Sequence, residues 1–295
     1  MNAARRTTQT AFFALLLLAP QLELLRYDPE GHHLIVLGRP YGLGLAEALG
    51  SLSASEVAGT ILLKAILPWL AVLALFPLLG FFLGRAFCGW LCPEGALFEL
   101  YDHLSLRLLG RRDFFSPRRV GRARGPRWLL CAAGALLVLF ALPVGVGLLL
   151  AGYFVPPQEV WAQVLQGTPS RGLLAALALL WLYMLVMGLL LRHRFCRWVC
   201  APGLMQMLFG WLSPMSLRVQ FQGLRHCTDC RRCEEVCFME ARPRGRREKD
   251  ISCINCGLCV QACKRELGPR GALLRLGFGQ PREDAMISKK PKEVF

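Results

Sequence analysis

Two cysteine-rich runs constrain the fold of this 295-residue chain more than any other feature. Each has the spacing C-x2-C-x2-C-x3-C, and together they contain Cys227, Cys230, Cys233, Cys237, Cys253, Cys256, Cys259 and Cys263. Bacterial proteins that bind two [4Fe–4S] clusters use this spacing, and the fourth cysteine of each run binds the other cluster. The runs therefore predict one cluster at Cys227, Cys230, Cys233 and Cys263, and a second at Cys253, Cys256, Cys259 and Cys237.

A zinc site and a disulfide framework are the alternative interpretations of these cysteines. Zinc modules usually carry two separated cysteine pairs, and disulfide-rich secreted domains are short. Eight cysteines in two identical registers fit neither pattern. Phe238 and Lys264 stand where a proline often follows the fourth cysteine, but proline ligates nothing, so the ligand prediction is unchanged.

The rest of the chain is too apolar for an ordinary water-soluble protein. Hydrophobic residues make up 54% of it and the mean hydropathy is +0.40. The apolar stretches 9–26, 57–84, 128–154 and 172–191 predict four transmembrane helices. A charged start and a short apolar run are also typical of a signal peptide, but no small-x-small cleavage site follows Ala19.

The net charge of +15 is distributed unevenly between the loops. The segments predicted to be external, including the polar stretch 27–56, hold Arg26, Arg39 and Arg171, whereas the others hold nearly all remaining Lys and Arg. The positive-inside rule then predicts a protein of the bacterial inner membrane whose two termini and clusters lie on the cytoplasmic side. Because topology and the lipid bilayer account for the charge, no nucleic acid is expected as a partner.

A repeat connects two further cysteine pairs. The motif Phe87-Cys88-x-Trp90-x-Cys92 recurs 108 residues later as Phe195-Cys196-x-Trp198-x-Cys200. At i and i+4 the two thiols of a pair are expected on one helix face, about 6 Å apart. Two helix-pair repeats bring both pairs to the cytoplasmic face, where the four thiols are candidate redox or ligand groups. The sequence leaves three roles open for these thiols: they ligate a metal or a further cluster, they form a reversible disulfide, or they merely pack as small apolar residues.

These features predict a mainly α membrane protein with three parts. Residues 1–215 form a four-helix transmembrane domain, residues 216–270 a 2[4Fe–4S] ferredoxin domain, and residues 271–295 a basic flexible tail. No histidine lies in a predicted span and no C-x-x-C-H occurs, so no haem is expected. Neither G-x-G-x-x-G nor a Walker A sequence occurs, so no flavin or nucleotide is expected.

The C-x3-C pairs and the two ligand runs together resemble the NapH-type membrane ferredoxins. Similar proteins with a Cys-x-x-x-Cys-Pro signature are MauN, the NosR membrane core and CcoG-type proteins, and the subfamily stays open because Ala201 separates Cys200 from Pro202. The resemblance implies electron transfer between the quinol pool and a partner redox protein, which is ferredoxin-type, a cytochrome or a reductase. The chain is then a quinol dehydrogenase subunit with quinol or quinone as a further ligand. One alternative is an accessory factor that supplies electrons for maturation of another metalloenzyme, and another is a scaffold with purely structural clusters.

Overall fold

A computed structural model describes residues 2–31, 33–42, 53–110, 125–222, 227–244 and 252–279. These residues are mainly helical and divide between two compact units. The first unit comprises Met1–Gln9, Leu73–Gly95 and His193–Phe295, and the second comprises Thr10–Val72 and Ala96–Arg192. The C-x3-C segments thus fall in one compact unit with the two ligand runs, and the domain boundary at residue 215 stays a prediction.

Helices make up most of the described residues. In chain order they are α1 Asn2–Leu18, α2 Ala54–Ile61 continued by Leu62–Ile66 and Leu67–Leu83, α3 Ala86–Trp90, α4 Pro93–Leu109, α5 Pro126–Ala151, α6 Pro157–Leu165, α7 Arg171–Val186 continued by Met187–Leu191, α8 His193–Trp198, α9 Ala201–Leu212, α10 Arg232–Glu235 and α11 Leu258–Gly271. Helix α11 is interrupted at Gly268, whose backbone is not helical.

Three helices of the described chain are long and apolar enough to cross a membrane. They are Ser55–Leu83, Arg127–Ala151 and Arg171–Leu191, with 29, 25 and 21 residues. At about 1.5 Å per residue each reaches the roughly 30 Å of a bilayer core. The side chains of Leu129, Leu137 and Leu179 are 64%, 65% and 69% exposed. Apolar surface of this extent favours lipid over water, and three of the predicted spans are confirmed as membrane-helix candidates.

The first predicted span has different bounds from those expected for residues 9–26. Helix α1 ends at Leu18, and Leu25–Asp28 form a strand. The helix ends there because Pro20 disfavours helical geometry at Ala19. Inside the first unit, the buried Arg5 donates a hydrogen bond from Nη1 to the Gly89 carbonyl at 3.2 Å. The fourth span stays a prediction.

A small sheet occupies part of the polar segment predicted to be external. Its strands are β1 Leu25–Asp28, β2 His33–Val36 and β3 Arg39–Tyr41, paired antiparallel in that order. The register pairs Leu25 with Val36 and Leu34 with Tyr41. Strands alternate their side chains between two faces, a period that the glycine-rich sequence carries too weakly to be recognised.

The 108-residue repeat is visible in how each membrane helix packs. In the first unit, a Cβ on Gly80 of α2 would lie 3.2 Å from the Phe209 Cβ of α9. In the second unit, a Cβ on Gly188 after α7 would lie 2.7 Å from the Tyr101 ring of α4. Each pair sits at matching repeat positions, so the helix of one copy packs on the motif-following helix of the other.

A second small sheet, of two strands, lies in the first unit. Strand β4 Leu217–Phe221 pairs antiparallel with β5 Leu274–Phe278. The tail predicted to begin at residue 271 is therefore wrong for residues 274–278, because their backbone groups bond to β4. Residues 280–295 of that predicted tail lie outside the described residues.

Candidate metal centres

The two C-x3-C motifs adopt the same backbone conformation. The carbonyl of Phe87 accepts hydrogen bonds from the amides of Leu91 and Cys92, at 2.9 and 3.0 Å. The carbonyl of Phe195 accepts the equivalent bonds from Val199 and Cys200 at the same distances. Each motif is thus a short helix whose last turn widens to an i+5 hydrogen bond before a new helix starts.

This geometry corrects the prediction that each thiol pair lies on one continuous helix face. Helix α3 ends at Trp90, and Cys92 lies between it and α4. In the second copy Cys200 is the N-cap residue of α9. Pro93 and Pro202 explain the break, because proline suits the first turn of a new helix but not a helix interior.

The four thiols of the two motifs nevertheless converge within the first unit. Burial raises the pKa of Cys196, and the nearby Cys92, Cys200 and Cys88 raise it further. Burial likewise raises the pKa of Cys92 to about 11, with Cys88 adding to it. The nearby Cys200 in turn contributes to raising the pKa of Cys88. The structure thus brings all four predicted site residues into one electrostatic neighbourhood.

Two buried polar side chains complete this thiol site. Arg85 is 2% exposed and donates from Nη2 to the Cys196 carbonyl at 2.6 Å. Burial raises the pKa of Cys88, and the Arg85 charge partly opposes that rise. Gln206 is 0% exposed, and its Oε1 lies 3.6 Å from the Cys88 Sγ. Within the described chain, Nε and Nη1 of Arg85 and Nε2 of Gln206 have no hydrogen-bond partner.

The sequence interpretation missed both residues, although Arg85 directly precedes the first motif. In the 108-residue register Arg85 corresponds to His193 and Gln206 to Phe98. A comparison of the two copies beyond the cysteines would have singled out these differences. Their burial beside the thiols could not be read from the register.

The second ligand run gathers the cysteines predicted for one cluster. Burial raises the pKa of Cys259, and Cys253, Cys256 and Cys237 raise it further, in that order. Cys237 belongs to the first run, so its presence beside the other three matches the predicted exchange of the fourth ligand.

The first ligand run shows the corresponding arrangement around Cys233. Burial raises the pKa of Cys233 to about 11, and Cys230 contributes to the rise. Cys263 of the second run packs against the same small core as Cys233, together with Leu274. The backbone amide of Leu273 donates to the Cys263 Sγ at 3.4 Å, and that of Ala241 donates to the Cys237 Sγ at 3.3 Å. Such N–H groups favour thiolates and tune the iron–sulfur centres that thiolates bind.

Arg244 stabilises the first run from the segment between the two ligand runs. Its guanidinium donates to Asp229, to Glu234 at 3.0 Å and to the Cys227 Sγ at 4.0 Å. The hydrogen bond from Arg244 holds the pKa of Asp229 below its ordinary value. This cation was missed because its spacing from the ligands in sequence carries no signal.

The donor sets fit clusters better than single ions. In the chain as described, no group of three or more His, Cys, Asp or Glu side chains could hold one metal ion. In a [4Fe–4S] cluster each thiolate binds a different iron, so its ligands stand farther apart than those of one zinc ion. The arrangement at Cys259 and Cys233 fits two clusters chemically, and the residue roles stay predictions.

Comparison with known families adds an assignment for the repeat. Residues 65–112 and 173–220 both match the family described as a 4Fe-4S binding domain. The two matches are offset by the 108 residues of the repeat and contain Cys88 with Cys92 and Cys196 with Cys200. Both matched segments end before Cys227, so this family description applies to the C-x3-C segments.

Curated relatives agree with this family. The putative electron transport protein YccM of Escherichia coli is 28% identical over 172 residues, which are 56% of this chain and 44% of YccM. The uncharacterised protein MJ0749 of Methanocaldococcus jannaschii is 29% identical over 162 residues, 55% of this chain and 54% of that protein. The methylamine utilization ferredoxin-type protein MauN of Methylorubrum extorquens is 30% identical over 159 residues, 52% of this chain and 47% of MauN.

The matches span about half the length of each of these relatives. No solved structure matches the chain significantly. The repeated family match, YccM and MauN together confirm the resemblance that the cysteine motifs predict. The chain therefore contains two segments similar to a 4Fe-4S binding domain and resembles the NapH/MauN-type ferredoxins.

Proposed function

We propose that this iron–sulfur electron-transfer protein is a quinol dehydrogenase component in a bacterial inner membrane. Its substrate is a quinol from the bilayer, and its acceptor is a partner protein that carries a one-electron redox group. Oxidation of a quinol to a quinone releases two electrons and two protons, and an iron–sulfur centre takes up electrons one at a time. Three lipid-exposed helices and the resemblance to NapH-type proteins support this proposal.

The observation that carries the proposal is the convergence of Cys88, Cys92, Cys196 and Cys200 beside a buried cation. Thiolate-bound metal centres carry negative charge, and a buried guanidinium without compensation is costly. Arg85 and Gln206 both keep unpaired N–H donors near the thiols. An anionic centre bound by the four thiolates would satisfy these donors.

A reversible disulfide is the other redox chemistry that four thiols permit. A disulfide is neutral, so it would supply no negative charge to the buried Arg85 guanidinium. The repeated match to a 4Fe-4S binding domain also covers these cysteines. Both observations favour a thiolate-bound metal centre, which is iron–sulfur in this proposal.

The eight cysteines of the ligand runs would hold the two other clusters. One cluster would be held by Cys253, Cys256, Cys259 and Cys237, which lie near one another, and the other by Cys227, Cys230, Cys233 and Cys263, of which Cys233 and Cys263 pack in one small core. The backbone donors to Cys237 and Cys263 would stabilise their thiolates. The asymmetric distribution of arginines supports a cytoplasmic location for both sites.

A second candidate function is that of an accessory factor in the maturation of another enzyme. Similarity to MauN, whose name assigns it to methylamine utilization, favours this candidate. Both functions use the same clusters, and they differ in the electron acceptor. Purification of the bound partner from the native membrane distinguishes an electron-transfer complex from an immature enzyme.

Quinol oxidation by the reconstituted protein tests the proposal. The chain, loaded with iron and sulfide in lipid nanodiscs, is mixed with a short-chain quinol, and cluster reduction is followed by absorbance and electron paramagnetic resonance. We expect reduction in the parent protein and its loss when Cys88, Cys92, Cys196 and Cys200 are all replaced by serine. The control is Cys131→Ser, because Cys131 lies in helix α5 outside both motifs.

Two substitutions of Arg85 test the anionic centre. Arg85→Lys keeps the positive charge and should retain iron at the thiol site, whereas Arg85→Met removes the charge and should lower it. Full quinol-dependent reduction in the quadruple serine variant would refute the role of the thiols. Equal iron content in Arg85→Met and Arg85→Lys would refute the charge argument.

A further inference from the structure

The two ligand runs differ sharply at one equivalent position. Asp229 and Asn255 each precede the second cysteine of their run, and both have positive φ, 53° and 54°. The side chain of Asp229 is 67% exposed, whereas Asn255 as a whole is only 3% exposed. The two runs therefore share their cysteine spacing and this local conformation, but the residue before the second cysteine is exposed in the first run and buried in the second.

Asn255 is buried because it binds segments that flank the C-x3-C motifs. Its Nδ2 donates to the Leu83 carbonyl at 3.1 Å and to the Leu217 carbonyl at 2.8 Å. Its own carbonyl accepts a hydrogen bond from the Trp90 indole at 3.0 Å. One residue of the second run thus contacts both the end of helix α2 and the helix that carries Cys88.

The backbone of the second run lies directly against that short helix. A Cβ on Gly89 would stand 2.3 Å from the Ile254 carbonyl oxygen and 3.3 Å from the Cys256 Cα. Only glycine permits this approach. Because Gly89 follows Cys88 in sequence, the contact places a ligand of the second run beside the first C-x3-C motif.

Cys237 is the fourth ligand predicted for the second run's cluster, and the residue after it contacts the other C-x3-C copy. The ring of Phe238, which follows Cys237, stacks on His193 with centroids 4.3 Å apart. His193 begins the helix that carries Cys196. Both chain segments that supply Cys253, Cys256, Cys259 and Cys237 therefore contact the thiol site's own elements. Phe238 in place of proline provides the stacking ring.

The first run has an open surface around Cys230. Cys230 is exposed, and the side chains of Arg231 and Arg232 are 66% and 60% exposed. Arg244 binds Asp229 from within the same domain rather than from a C-x3-C segment. A protein that exchanges an electron with this chain must approach a ligand closely, and Cys230 is the exposed one among the eight.

We propose that Asn255 is a positioning residue that fixes the second ligand run against the thiol site, and that the first run, around Cys230, is the docking face for a soluble one-electron carrier protein. This inference rests on the proposed function, because it requires clusters at both runs. In this arrangement the Cys253–Cys256 loop has the inner position, against the thiol site, and the Cys227–Cys230 loop has the outer position, at the protein surface.

A water-soluble paramagnetic probe, the dysprosium–EDTA chelate, distinguishes the two positions. The chelate speeds the spin relaxation of a nearby cluster, so it raises the microwave power at which that cluster's resonance saturates. Cys237→Ala and Cys263→Ala, each expected to retain one cluster, assign the two signals. We expect a severalfold rise for the signal of the first run and no change for that of the second.

Matched substitutions test Asn255 itself. Asn255→Ala should make the second-run signal sensitive to the chelate and shift its g values, while Asp229→Ala at the equivalent position should leave the second-run signal unchanged. Trp90→Phe removes the indole donor, which lies outside the ligand run. It should therefore cause a smaller rise in chelate sensitivity and a smaller g shift of the second-run signal than Asn255→Ala, with the iron content unchanged.

Docking is measured with a small soluble bacterial 2[4Fe–4S] ferredoxin as the probe carrier. The clusters of the parent protein are first reduced with dithionite and the excess reductant is removed. Reduction of the ferredoxin by this protein should slow severalfold in Arg231→Glu and not in Arg107→Glu, where Arg107 lies in helix α4. Equal chelate effects on both signals, or no response of the second-run signal to Asn255→Ala and Trp90→Phe, would overturn the inner and outer assignment. Equal rates in the two arginine variants would overturn the docking face. Absence of any cluster signal would overturn the proposed function as well.

Discussion

Arg192 and Asp102 form a buried ion pair between the two copies of the repeat, and the equivalent positions 108 residues away are Gly84 and Gly210. The Arg192 Nη1 lies 3.0 Å from the Asp102 Oδ1 in the second unit. In the first unit, a Cβ on Gly210 would lie 3.1 Å from the Gly84 Cα. In the second unit the helices of the two copies are therefore joined by charge, and in the first unit they are joined by close backbone contact.

The ion pair predicts an asymmetric response to substitution. Asp102→Ala leaves the buried Arg192 guanidinium without its carboxylate, and breaking a buried pair typically costs about 3–5 kcal/mol. The double variant Arg192→Gly, Asp102→Gly reproduces the glycine pair of the first unit and removes both charges, and glycine suits the φ of 41° at residue 192. Unfolding in detergent should show a smaller loss for the double variant than for Asp102→Ala. A larger loss would contradict the relationship.

The exchange of fourth ligands predicts which cluster each cysteine supports. Cys263→Ala should damage the cluster at the first run and leave the cluster at the second run spectroscopically intact, because Cys263 packs with Cys233. Cys237→Ala should do the reverse. Iron analysis and electron paramagnetic resonance measure the outcome, and the two ligand runs account for about eight iron atoms per chain. Iron content unchanged in both variants would rule out the ligand assignment.

The close approach at Gly89 predicts a local loss of stability. Gly89→Ala places a methyl group 2.3 Å from the Ile254 carbonyl, and forced overpacking costs about 1–3 kcal/mol. The control is Gly134→Ala in helix α5, because a Cβ there meets no atom within 4 Å and alanine favours helices. Hydrogen exchange at residues 252–257 should rise only in Gly89→Ala. The same rise in both variants would point to a global effect instead.

The arginine distribution predicts the orientation in the membrane. Reporter fusions at Tyr41 and Gln163 should give external signals, and fusions at Arg119 and Phe295 should give cytoplasmic signals. A cytoplasmic signal at Tyr41 would remove the first predicted span. Helix α1, which has 17 residues and a buried Arg5, makes that fusion the most informative one.

Sequence spacing and hydropathy alone determined the ligand runs, the repeat and three membrane helices. These features are local: the distance between Cys253 and Cys256 is limited by the covalent chain, and an apolar stretch must avoid water wherever it lies. Hydropathy overextended the first helix, because the turn at Ala19 and Pro20 depends on backbone sterics. The strand pairing of Leu217 with Phe278 escaped prediction, because two short segments far apart show no common period.

Only the tertiary structure decided how the two kinds of cysteine motif relate. The hydrogen bond from Trp90 to Asn255 spans 165 residues of sequence, and neither residue type announces its partner. The burial of Arg85 and Gln206 beside Cys88 likewise depends on two helices that meet in space. Asp229 and Asn255 occupy one position of one motif, yet the first is exposed and the second is buried. Local sequence sets which ligands are possible, whereas long-range packing decides which ligand run lies against the thiol site.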